Sequence, residues 1–109
     1  MSSISVVEAC GDSRVFREDG EKLRRRIKEL WSDLEPVDVD FGHVVIASVS
    51  FFDEAIAVLA LQYPLDVIKR RVKVLNITEP DRRLLNTLVV SRNRERIARA
   101  ANGTSETGT

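Results

Sequence analysis

VDVDFGHVVIASVSFFDEAIAVL, residues 37–59, is the stretch on which the fold turns. Val37, Val39 and Phe41 alternate with Asp38 and Asp40, the period of two expected of a strand with one buried face. Gly42 and His43 supply a bend, and residues 44–47 extend again. From Phe51 the period changes. Phe52, Ala55, Ile56, Val58, Leu59, Ala60 and Leu61 would surround most of a helix's circumference, which predicts a helix over 51–63 buried on more than one side. Pro64 closes it.

Working outward, the same two periods recur. Residues 4–9 are expected as a first strand, and CGDSR, with Gly11 and Asp12, as a turn. Asp19 and Gly20 read as the end of a connection. Leu23, Ile27, Leu30, Trp31 and Leu34 draw one apolar stripe, predicting a helix over 21–34 that Pro36 terminates. On the C-terminal side, VKVLNI (72–77) reads as a strand. Thr78 and Pro80 hold helix-start positions for a helix whose stripe is Leu84, Leu85, Leu88 and Val89. The last eight residues, NGTSETGT, are small and polar and read as a disordered tail over 102–109. Strands alternating with helices imply βαβ units. The expected fold class is α/β: one domain over 1–101 with a mixed, partly parallel sheet covered by about three helices.

Composition narrows the function classes. The 109 residues suffice for one domain. A 43% hydrophobic and 31% charged content is that of a soluble globular chain. Lys plus Arg and Asp plus Glu are equal at 17 each, so the surface as a whole is not built to grip nucleic acid, and self-association is not opposed by net charge. The single cysteine, Cys10, cannot form an internal disulfide or by itself a zinc site. It reads as a small apolar residue, and a reducing cytoplasm is the expected location. MSSISVVEAC has no basic region followed by a long apolar core, which speaks against a secretory signal. The longest uncharged stretches, 12 and 11 residues, fall short of the roughly 20 that span a bilayer. No membrane association, cofactor or metal is expected.

Several side chains invite a chemical reading. Ser50 and Asp53 have the spacing of a capping box, and Asp53 and Glu54 would oppose the positive end of a helix dipole. A loop leaving the C-terminal end of a strand is also where α/β folds place ligand and partner contacts. His43, the only histidine, lies near Asp40, Asp53 and Glu54 in sequence, an arrangement that acid–base or metal chemistry could use. A metal needs more converging ligands than this, and a histidine beside glycine reads first as a turn residue. Basic clusters at 24–26, 69–73 and 92–99 read as solvated helix ends. No aromatics interleave them, so a stacking platform for single strands is not suggested. Trp31 falls on the helix stripe and is expected in the core.

The 37–59 stretch resembles the core of the STAS-like domains of unknown function, the DUF4325 family. The resemblance is carried by Asp40, Phe41, Val44, Ser48, Ser50, Phe51, Asp53 and Glu54, and VKVLNITEPDRRLL also fits through Asn76 and the following helix. It covers residues 20–96. That family is similar in turn to the STAS domains of anti-sigma-factor antagonists and sulfate transporters. The resemblance implies a small α/β domain that is not an enzyme and binds a regulatory protein, with a kinase-like ATPase as one candidate. In the antagonists such an ATPase phosphorylates a serine in an Asp-Ser-Ser-Gly turn. Aligning the Asp40-Phe41 strand end without gaps puts Val49 at the acceptor serine, Ser48 on the Asp, Ser50 on the second serine and Phe51 on the Gly. Ser48 and Ser50 are therefore the candidate phosphorylation sites, each one place from the acceptor.

The expected partner-binding surface is Ser48, Ser50, Phe51, Asp53 and Glu54. Phe51 would be an exposed apolar anchor and the two acids would give selectivity. The alternative is a homodimeric or nucleic-acid-binding adaptor using the basic C-terminal helix.

Overall fold

A computed structural model describes residues 2–107, with side chains described as far as 101. The tail expected over 102–109 lies outside the residues described at side-chain level.

The first strand is shorter than expected. β1 spans Ser2–Ser5, and the chain turns at once into the short helix α1, Val6–Cys10. The switch comes from Ser5, whose hydroxyl accepts the Glu8 N–H at 3.3 Å and caps the helix. Gly11, at φ 78°, closes α1 in the left-handed conformation that suits glycine. β2, Arg14–Val15, leads into α2, Arg17–Leu30.

α2 starts four residues before the position expected from the apolar stripe. The Asp19 carboxylate reaches back to accept the Phe16 N–H at 2.9 Å, and Glu18 and Asp19 occupy the first turn. Gly20 is a buried residue inside this helix rather than the end of a connection. Leu23 and Ile27 are fully buried, and Leu30 and Trp31 pack at the core's margin. Leu34, read as the end of the stripe, is 98% exposed because the helix stops at Leu30, well before Pro36.

β3, Val37–Asp40, carries the expected alternation: Val37 and Val39 are fully buried, while Asp38 and Asp40 lie on the half-exposed side. After His43, at φ 63°, comes β4, Val45–Ile46. The helix expected over 51–63 is two elements. α3 runs Ser50–Ala55, Ile56 leaves helical geometry at φ −128°, ψ −51°, and a 3-10 helix follows at Ala57–Leu61. The break turns buried residues in two directions. Phe51, Phe52 and Ala55 face α2 and Phe41, and the 3-10 helix packs beneath the C-terminal helix. Pro64 precedes α4, Leu65–Arg71, a helix the sequence reading did not anticipate, and β5, Val72–Leu75, follows directly. Asn76, at φ 55°, makes the turn into α5, Glu79–Thr107, where Thr78 accepts the Asp81 N–H at 3.4 Å.

The strands form two parallel sheets, β1-β3-β5 and β2-β4. The domain is therefore α/β as expected, with five α-helices among the described residues rather than about three. The core is one cluster. Its aromatic centre is Phe41, Phe51 and Phe52, with ring centroids 5.9–6.5 Å apart and two of the three pairs edge-to-face. A second aromatic group sits at the margin, where Trp31 and Tyr63 meet edge-to-face at 4.9 Å and the Arg71 guanidinium lies 5.0 Å from the Trp31 ring.

Candidate functional site

The segment from Ser48 to Glu54 leaves the C-terminal end of β4, one strand of a parallel pair with β2. Ala47 N–H donates to the Val15 carbonyl at 2.9 Å, and the chain then turns. The Phe51 and Phe52 N–H groups donate to the carbonyls of Ser48 and Val49, at 3.0 and 3.1 Å, and so start α3. The cap position belongs to Val49, not Ser50, and no side chain caps it. The expected capping box is absent. The Ser50 hydroxyl instead meets the Ser48 hydroxyl at 2.6 Å.

The two phenylalanines do not divide between core and surface. Both are fully buried, so Phe51 is not an exposed anchor. α3 presses against α2 closely enough to leave neither ring outside. The contact depends on Gly20: a Cβ there would stand 2.7 Å from the Glu54 Cβ and 3.0 Å from the Phe51 carbonyl oxygen. The exposed apolar residue at this turn is Val49, at 61%.

Both acids are taken by arginines. Asp53 accepts two hydrogen bonds from Arg92 on α5, at 2.8 and 2.6 Å. These bonds hold the Asp53 carboxyl below its ordinary range and raise the Arg92 guanidinium. Glu54 pairs with Arg24 at 3.1 Å and Arg17 at 3.7 Å, and Arg24 also donates to the Glu54 carbonyl. Asp53 therefore ties α3 to α5, and Glu54 ties α3 to α2. Arg92 and Arg24 were legible only as members of basic clusters. No local signal links them to acids 39 and 30 residues away.

Val49, Ser50 and Asp53 from the helix start and Leu88, Ser91 and Arg92 from α5 line one shallow surface pocket of about 420 Å³. Ser50 and a guanidinium thus border the same depression. His43 stands apart, exposed on the loop after β3. Its neighbour Asp40 is engaged by the Asn76 side-chain amide at 2.9 Å and the Gly42 N–H at 2.8 Å, which lower its carboxyl. Among the described residues no three His, Cys, Asp or Glu side chains converge as a metal site would require. Nor is any helix long and apolar enough to cross a membrane.

Residues 19–82 match the family described as the STAS-like domain of unknown function, DUF4325. The match takes in most of α2, the Ser48–Glu54 turn and the start of α5, more than half of the chain. The chain belongs to this family. No curated protein and no solved structure matches it.

Proposed function

We propose that, as a member of the STAS-like family, this domain is a non-enzymatic regulatory module that docks a protein partner on the rim formed by Ser48, Val49 and Ser50 and the facing turn of α5. The observation that carries this reading is Val49: an apolar side chain 61% exposed at a helix start whose other apolar residues are all buried. Asp53 and Glu54 take part as braces. Their ion pairs hold the rim in place, so little ordering is left for the partner to impose. A kinase-like ATPase is the partner class that the family resemblance favours.

A specific observation also favours phosphorylation at this rim. Ser50 shares its pocket with Arg92. A phosphoryl group transferred from ATP to the Ser50 oxygen would compete with Asp53 for that guanidinium, and so would loosen the brace between α3 and α5.

Both readings are tested together. Tagged wild-type and Val49→Glu proteins are incubated with ATP and lysate of the source cell, recovered, and compared by intact mass and by co-purifying proteins. A partner held by wild type and lost from a folded Val49→Glu protein is the expected result. Identical partners on both would remove this surface assignment. A gain of one phosphate mapped to Ser50 supports the switch, and its absence in a sample that retains an ATPase leaves a plain docking module.

A further inference from the structure

β5 is an edge strand. Among the described residues it pairs with β3 on one side only. The Phe41 N–H donates to the Leu75 carbonyl, so residues 75 and 73 turn their backbone groups toward β3 and Val74 turns its own away. The Val74 carbonyl is met by Arg82 of α5 at 3.4 Å. Beside this edge lies a groove of about 450 Å³, floored by apolar side chains that include Ile68, Val74, Leu85 and Val89. Leu75, on its wall, is 42% exposed.

The charge at this groove is one-sided. Lys69, Lys73 and Arg82 line it, with no carboxylate among the lining residues. Elsewhere the arginines largely find acids: Arg24 with Glu54, Arg70 and Arg71 with Asp33, Arg92 with Asp53, Arg99 with Glu95. Lys69 and Lys73 make no ion pair among the described residues. In a chain whose charges balance at 17 each, this groove concentrates cations without ion pairs around an apolar floor, beside a strand edge that keeps the outward Val74 N–H for a partner.

We infer that the groove between β5 and α5 binds an acidic, apolar-anchored peptide segment of a partner protein, laid in extended form along β5. An extended chain can accept a hydrogen bond from the outward Val74 N–H and place alternate side chains into the groove. Its carboxylates meet Lys69, Lys73 and Arg82, which supply selectivity and speed of encounter. The strand edge favours a polypeptide over a small amphiphilic anion, which would satisfy the cations and leave the Val74 N–H unused. The inference does not rest on the reading of the Ser48–Ser50 rim, which shares no residue with this groove.

The test is a random dodecapeptide library displayed on phage and selected against the full chain, with decanoate as the small-anion competitor. Enriched sequences should alternate apolar residues with Asp or Glu. The synthetic peptides should shift the backbone amide resonances of Val72–Leu75 and Leu85–Val89. Lys69→Glu with Lys73→Glu should weaken binding at least tenfold, and Val49→Glu should leave it unchanged. Basic enriched sequences, no enrichment, or shifts confined elsewhere would overturn the proposal. So would decanoate binding at the groove while no peptide does.

Discussion

Arg92 grips both carboxylate oxygens of Asp53, through Nε at 2.8 Å and Nη2 at 2.6 Å, across 39 residues of sequence. The guanidinium's rigid fork matches the carboxylate, so the pair fixes an angle as well as a distance between α3 and α5. Both side chains are partly shielded, at 33% and 21% exposure. The pair should therefore count for more than an exposed one. Arg92→Ala and Asp53→Ala, with their double mutant, should give a coupling energy of about 1–2 kcal/mol in urea unfolding. A coupling near zero would reduce the pair to surface decoration.

The same pair sets an acid dependence. The Asp53 carboxyl is depressed in the folded state, first by the Arg92 hydrogen bonds. An unfolded aspartate titrates at about 3.9. The stabilisation is therefore complete above that value and is lost as pH falls through the lower folded-state value. Asp53→Asn should be less stable than wild type at pH 6, by about 1 kcal/mol. The difference should shrink as pH falls below about 3.9 and the Asp53 carboxyl begins to take up its proton. Urea midpoints taken across that range decide it, and a pH-independent difference would contradict the assignment.

Phe51 belongs to the core, and its removal should show it. Phe51→Ala should cost about 3–5 kcal/mol, a large part of the stability of a domain this size. Val49→Ala, one turn outside the core, should change stability by about 0.5 kcal/mol or less. Thermal unfolding of the two variants separates an anchor from a core residue: a mild Phe51→Ala would restore the exposed-anchor reading.

Gly20→Ala should be destabilising although alanine is the better helix former. The propensity gain is about 1 kcal/mol. The added methyl would meet the Glu54 Cβ at 2.7 Å and the Ala55 nitrogen and Phe51 carbonyl oxygen at 3.0 Å, and two of those three atoms are backbone. Pushing α3 off α2 should cost about 1–3 kcal/mol. A net gain in melting temperature would mean that the two helices part more easily than their contact implies.

Cys10 should be nearly inert in the folded protein. Its thiol is pushed up to about 11, chiefly by burial and then by the negative charge of Asp19, and the residue is 6% exposed. Alkylation by iodoacetamide at pH 8 should run at least a hundredfold slower than for free cysteine and should recover in urea. Rapid reaction of the native protein would show that α1 opens readily.

Much of this architecture was legible because helices and strands repeat with the spacing of near neighbours. The alternation of Val37, Val39 and Phe41 against two aspartates located β3 and its buried face. Leu23 and Ile27 marked the inner side of α2, and Asn76, Thr78 and Pro80 marked the turn into α5. The family resemblance drew attention to the turn at 48–54. Errors gathered where one local signal competed with another. VVEAC has the β-branched start of a strand, yet Ser5 caps it as a helix. Gly20 looks like punctuation and is a point of close packing. The apolar run after Ser50 fits one continuous helix and breaks at Ile56.

The sequence by itself determined the fold class, the buried faces of the main elements and a family, because each rests on residues two to four places apart or on a contiguous motif. The tertiary structure alone decided the character of the surface at 48–54. It sent Phe51 inward with Phe52, left Val49 outside, and gave Asp53 and Glu54 to arginines on two different helices. It also brought Lys69, Lys73 and Arg82 to one apolar groove. Those outcomes depend on helices from distant parts of the chain meeting at particular angles. Side-chain direction and ion pairing follow from that meeting, and no local spacing encodes it.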